Sequence, residues 1–259
     1  MQVVTIHYET DAWLVVEKPP GMLVHRSKPS HTGTLHDVLC EMLAFETHTG
    51  GQVSLINRLD RETSGLVLVA KSNAAARELG KLMMARKLGK SYFAWLRGAW
   101  VGDPVRLIDA PLLRAGSVGS SPVWLRQMVH PDGAASQTRF RFRASARHAT
   151  LGEITLVEAE PLTGRTHQIR VHAASMGLPV LGDKLYPDAV PYLDFIREGP
   201  YAPSVIALGH WRQALHSAMI SIPEATGGNA IIHSALPPDL AGPEDFSSSP
   251  PKLFPPSLL

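Results

Sequence analysis

Leu66-Val67-Leu68-Val69-Ala70 is apolar at every position, with Gly65 before it and Lys71-Ser72 after it. A strand with one wet face alternates polar and apolar residues. This run does not alternate, so it has to be covered on both faces, with other sheet beside it and packed layers above and below. Short β-like runs supply that sheet. They include Val3-Val4-Thr5-Ile6, Trp13-Leu14-Val15-Val16 (broken at Pro19-Pro20-Gly21), Ser91-Tyr92-Phe93-Ala94-Trp95-Leu96, Thr138 to Phe142, and Ile154 to Ala159 before Pro161. Leu55 to Leu59 is expected as a strand running into a turn at Thr63-Ser64-Gly65. Helical patterns are few: a short one over Leu35–Phe45, one from Asn73 to Lys87 capped by Ser72, and one from Gly164 to Ser175 stopped by Gly177. In the second, Leu79, Leu82 and Met83 share a side. The expected class is α+β, with many strands and few helices.

Hydrophobic residues at 44% and charged residues at 19% are ordinary for a globular chain, and a net charge of +2 permits a nucleic-acid partner without arguing for one. A single cysteine, Cys40, excludes an internal disulfide. The start has no basic segment followed by an apolar stretch, and no run approaches the roughly 20 apolar residues of a membrane span. The chain is therefore expected in the cytoplasm, away from membranes. Beyond Pro237 it is rich in Pro and Ser, although Leu253, Phe254 and Leu258-Leu259 could strap onto the core.

Three segments carry candidate chemistry. In Asn57-Arg58-Leu59-Asp60-Arg61-Glu62-Thr63-Ser64-Gly65, a strand persisting to Asp60 would put Arg58 and Asp60 on one face, with flanking guanidinium groups favouring the ionised acid. Such a carboxylate can serve as nucleophile or general base, or merely join a surface ion cluster. In Gly164-Arg165-Thr166-His167-Gln168-Ile169-Arg170-Val171-His172, arginines near a helix start oppose the macrodipole and ask for an anionic partner. Glu158 and Glu160 are the nearest ordinary choices. His167 and His172, five apart, do not align as a zinc pair. In Lys90-Ser91-Tyr92, a strand places Lys90 and Tyr92 on one face, where a tyrosine could stack on a nucleobase. Lys81, Arg86, Lys87, Lys90 and Arg97 form either a phosphate track or a solvated face.

Together and in this order, these segments resemble the RluA family of RNA pseudouridine synthases. Lys18-Pro19-Pro20-Gly21, Gly182-Asp183 and Leu215-His216 extend the likeness over residues 8 to 225. The resemblance implies a pseudouridine synthase fold: a mixed, mainly antiparallel central sheet, flanking helices and an active-site cleft. It implies a catalytic domain over 1–225, followed by an extension over 226–259. It implies Asp60, Tyr92 and Arg170 as catalytic residues, with Arg170 the ionic partner of Asp60. Arg58, Arg165 and Lys90 would bind substrate. The implied partner is ribosomal or transfer RNA, with no metal and no cofactor, and the chain is expected as a monomer. No phosphate-cradling Gly-x-x-x-x-Gly-Lys loop and no Gly-x-Gly-x-x-Gly element is present. Where the family usually has His, this chain has Asn57, which cannot titrate. The chain also starts directly in the catalytic region, so RNA recognition is expected to fall on that surface. The rivals are a non-catalytic RNA-binding protein that keeps the fold, and a metal-dependent nuclease, which would need clustered acids.

Overall fold

The computed structural model describes residues 3–224, 227–243 and 246. The chain opens with the antiparallel pair β1 (Thr5–Glu9) and β2 (Trp13–Lys18). Next come α1 (Leu35–Met42), α2 (Ala44–His48), β3 (Ser54–Leu55), β4 (Ser64–Ala70), α3 (Asn73–Met84) and β5 (Gly89–Arg97). β6 (Val105–Asp109), β7 (Leu112–Arg114), β8 (Gln127–Val129), β9 (Gln137–His148) and β10 (Gly152–Pro161) precede α4 (Gln168–Ser175). The last elements are α5 (Val190–Glu198), α6 (Pro203–Ile206), β11 (Leu215–Pro223), β12 (Asn229–His233) and α7 (Pro238–Ala241). Two compact units form: one up to Ser91 plus His216–Ala235, the other Tyr92–Leu215 plus the described residues from Leu236 on.

In the first unit β4 is buried at every position, as the apolar run Leu66 to Ala70 requires. β2 pairs antiparallel along its length. On the other side β3 pairs antiparallel at its end and β11 pairs parallel at its start, so the sheet is mixed. Leu66, Leu68 and Ala70 pack with Val15, Ile220, Ile222 and Ile232 beneath α3. α3 starts where Ser72 accepts the amide of Ala75, and it brings Leu79 into this core with Leu82 and Met83 alongside. It ends at Met84, three residues short of the expected end. The expected helix over Leu35–Phe45 is instead two, α1 and α2, with a break at Leu43. Residues 229–233, assigned by sequence to the extension, form β12 on β11.

In the second unit the strands run β5-β10-β9-β6, all antiparallel. α4 lies against β8, β9 and β10. It begins at Gln168 rather than Gly164, because His167 takes a left-handed conformation (φ 57°) that a helix cannot contain. Gly177 (φ 76°) stops it, as expected. The polar tail is partly packed here: Leu240 is fully buried, its carbonyl accepts the indole N–H of Trp95 at 2.9 Å, and Phe246 stands edge-on to that ring. Leu253, Phe254 and Leu258-Leu259 lie outside the described residues.

Candidate functional site

The segment around Asp60 is a loop held at both ends, not the strand expected from its sequence. β3 stops at Leu55. Beyond it the buried side chain of Asn57 takes over the pairing: its Oδ1 accepts from Leu68 N at 2.7 Å and its Nδ2 donates to Leu66 O at 3.3 Å. One amide side chain thus satisfies two β4 backbone groups, and the main chain is released to turn. Thr63 N donates to Asp60 O at 3.1 Å, so the turn spans residues 60–63. It comes earlier than Thr63-Ser64-Gly65, whose last two residues begin β4. Arg58 is exposed, Leu59 is buried and Asp60 is half-buried.

The far end of the loop is fixed by a buried lysine. Lys18 is 0% exposed. Its ammonium donates to Pro19 O at 2.8 Å, Met22 O at 3.0 Å and Arg61 O at 3.1 Å. Three carbonyls for three N–H donors offset the cost of burying the charge. Arg61 Nε donates to Gly21 O, and Gly21 N donates back to Arg61 O. The Pro19-Pro20-Gly21 turn is thereby locked to the residue after Asp60. Burial first, then the nearby His36 and the Arg58 guanidinium, push the His25 imidazole below its ordinary value.

Ser64 begins a chain of side-chain hydrogen bonds. Its Oγ lies 2.9 Å from His216 Nδ1, His216 Nε2 lies 3.0 Å from Ser234 Oγ, and Ser234 Oγ donates to Glu17 Oε2 at 2.8 Å. With the hydroxyl of Ser234 given to the carboxylate, His216 donates from Nε2 and accepts Ser64 at Nδ1. Gly65 is required beside it: φ is 108°, and a Cβ would sit 2.3 Å from Ser217 O.

In the second unit α4 aims Arg170 by a bidentate pair with Asp183, Nε to Oδ2 at 2.6 Å and Nη2 to Oδ1 at 2.8 Å. Asp183 also accepts the amides of Leu185 and Tyr186. This is the anionic partner that an arginine on the first helical turn demanded. Neither Glu158 nor Glu160 supplies it; they pair with Arg143 and with Arg139 and Arg141. The guanidinium also lies over the Tyr186 ring, 5.2 Å from its centroid, and His167 Nδ1 is 2.9 Å from the Tyr186 hydroxyl. Two other polar letters of the segment, Gln168 and His172, are structural. Gln168 bridges Thr163, Arg165 N, Gln137 O and Thr138, and His172 is held by Thr138 Oγ1 and Ala110 O. Burial pushes the His172 imidazole below its ordinary value.

Arg165 is exposed, and its Nε donates to Ala135 O at 3.3 Å. It precedes α4, so the macrodipole gives no reason for it. Lys90 and Tyr92 sit two residues apart on β5. Tyr92 is buried; Lys90 is half-buried near Met83 Sδ, and burial pushes its ammonium below its ordinary value. Lys81, Arg86, Lys87 and Arg97 are exposed. By unit, Arg58, Asp60 and Lys90 fall in the first, and Tyr92, Arg165 and Arg170 in the second. Lys18, Asp183 and His216 lay in segments that extended the likeness, yet only the structure gives them jobs. A lysine before Pro-Pro-Gly and an acid after glycine were the available signals. Among the described residues there is no group of three or more His, Cys, Asp or Glu placed to hold a metal, and no helix long and apolar enough to cross a membrane.

An α+β fold carrying an aspartate in a clamped loop and an arginine pinned on a helix matches one class. A family model for RNA pseudouridylate synthase fits residues 12–175, and the chain belongs to that family, in its RluA branch. It is 38% identical over 183 residues to ribosomal large subunit pseudouridine synthase C of Vibrio cholerae, covering 71% of this chain and 53% of that protein. An uncharacterized RNA pseudouridine synthase of Aquifex aeolicus is 37% identical over 185 residues, 71% of this chain and 56% of that one. The chain thus spans about half the length of these curated relatives. Human RNA pseudouridylate synthase domain containing 1 shares the fold with a TM-score of 0.68 at 23% identity, over 92% of this chain and 86% of that one. Domain containing 4 gives 0.66 at 22% identity, over 91% and 90%.

Proposed function

We propose that the chain isomerises uridine to pseudouridine within RNA, with Asp60 as the catalytic carboxylate. The observation that carries this reading is the family match over residues 12–175, which spans Asp60, Tyr92 and Arg170. The locked geometry around Asp60 supports it. Asn57 and Lys18 hold the loop by hydrogen bonds to backbone, which leaves the half-buried acid between them in a fixed place.

In the reaction the C1′–N1 bond breaks, uracil turns, C1′ bonds to C5, the C5 proton leaves and N1 gains one. No electron or group comes from a donor. Asp60 either attacks the nucleoside or removes a sugar proton; an isotope effect on the sugar hydrogen accompanies only the second. Arg170, aimed by Asp183, is assigned to keep the acid ionised, and Tyr92 to stack on the uracil and help move the C5 proton. Arg58, Arg165 and Lys90 are assigned to the RNA backbone. A paired uridine has to be flipped out first, at a cost of a few kcal/mol; Arg58 is assigned to the vacated space. In this reading the enzyme works as a cytoplasmic monomer without metal.

Names such as ribosomal large subunit pseudouridine synthase C make large-subunit ribosomal RNA the first substrate to try, with transfer RNA second. Pseudouridine mapping in total RNA from cells with and without the gene, repeated with purified protein on transcripts, tests this. One or more positions should lose the modification and regain it on the transcript. An unchanged map together with unmodified transcripts overturns the reading; binding without conversion would favour a non-catalytic RNA-binding protein.

A further inference from the structure

The excursion between β7 and β8 carries a tryptophan that packs little of itself into the protein. Trp124 is 58% exposed, and Leu125 beside it is 60% exposed. The ring is not loose. It lies against Gly116, where a Cβ would come within 2.4 Å of it, and the Arg114 guanidinium sits 5.5 Å from its centroid. The base of the excursion is anchored on the α4 side. Val123 is buried with Val171, Leu185 and Tyr186, Arg126 donates to Leu185 O and Pro187 O, and Gln127 N donates to the Tyr186 hydroxyl. Arg126 also lies over the Tyr186 ring at 5.7 Å, the same ring that Arg170 overlies. One rigid aromatic therefore ties the excursion to Arg170 within this unit.

The charge of the segment selects the occupant. No acid occurs between Asp109 and Asp132, while Arg114, Arg126 and His130 fall inside that stretch. The neighbouring Asp188 uses its carboxylate to accept the amide of Val190. A fixed, exposed indole with the Arg114 guanidinium beside it, in a stretch of sequence without acids, suits a polyanion with unstacked rings. We propose that Trp124 is a stacking platform for an unpaired nucleobase of the substrate RNA, with Arg114 facing its phosphates. This rests on the RNA synthase reading and adds a contact outside its catalytic set.

The test uses full-length protein, a fluorescein-labelled single-stranded oligouridylate, a blunt duplex of equal length and the substrate transcript. Because Trp124 is exposed, Trp124→Ala folds. It should bind the single strand about tenfold more weakly, raise KM for the transcript similarly, leave kcat unchanged and barely alter duplex binding. Trp124→Phe should restore most of the loss. Equal binding and KM in Trp124→Ala overturn the platform while the synthase stands. A dimer that Trp124→Ala dissociates, with RNA binding unchanged, also overturns it and assigns the patch to a second copy. Wild-type protein that neither binds nor converts RNA removes both proposals.

Discussion

Residues 57–65 and 164–172 are both motif segments, but they hold their candidate groups by opposite means. Around Asp60 the work is done by bonds to backbone: Asn57 to two β4 groups, the Lys18 ammonium to three carbonyls, Arg61 to Gly21. These bonds position the loop, with Asp60 half-buried at its turn. In the second segment the candidate group itself is gripped, with Arg170 bidentate on Asp183. A loop clamped by its backbone fixes where the acid stands, whereas a gripped guanidinium is fixed in direction. Several letters of both motifs, among them Asn57, Gln168 and His172, therefore build scaffold.

Variants that separate scaffold from chemistry sharpen this contrast. Asp60→Asn should lower pseudouridine formation by on the order of a thousandfold or more, as removal of a catalytic group does. Its thermal midpoint and RNA affinity should stay near wild type; a matching loss of stability would make Asp60 scaffold too. Asp183→Asn should behave differently, because it removes the carboxylate that grips the buried Arg170 guanidinium at two points. Breaking such a pair costs about 3–5 kcal/mol, so denaturant midpoint and turnover should fall together. Full stability in this variant would end the assignment of Asp183 as the anchor. Asn57→Ala strands the buried amide of Leu68, at about 1–3 kcal/mol, while Leu66 O keeps the Ser217 hydroxyl, and turnover should fall because the loop shifts. Asn57→His should add no inflection to the pH–rate profile if the position is structural.

The smallest expected effect is on stability against pH. The His172 imidazole is held below its ordinary value of 6.5 in the folded protein, with burial the main cause. The unfolded chain then binds more protons in that window, so stability is complete above about 6.5 and declines as pH falls toward the folded value. Melting curves from pH 7.5 to 5 should show this slope, and His172→Gln should flatten it. An identical slope in the variant would move the effect to other groups, the buried His210 first.

The sheet was legible where pattern and burial agree, as in the apolar run Leu66 to Ala70 of β4 and the helix capped by Ser72. It was misread where one side chain replaces backbone pairing. Asn57 ends a strand that its neighbours' alternation would continue, and periodicity contains no term for a side-chain amide completing a ladder. The start of α4 was set too early for a similar reason: the left-handed His167 is favoured by contacts with Tyr186, distant in sequence. Candidate residues could be singled out because motif letters keep their order. Asp183 as the partner of Arg170, and Lys18 as a clamp, needed coordinates, since ion pairs across many residues leave no spacing to read.

The central claim is that the clamped acid of this chain drives loss of hydrogen from uracil C5 without cofactor. Its most direct measurement is tritium release from large-subunit ribosomal RNA and transfer RNA transcripts carrying [5-³H]uridine, incubated with the purified protein in buffer containing a chelator. The account predicts release that plateaus at a whole number of sites per transcript, and none from Asp60→Asn protein that still binds. No release from either RNA by wild-type protein that binds it, or undiminished release by Asp60→Asn, would contradict it.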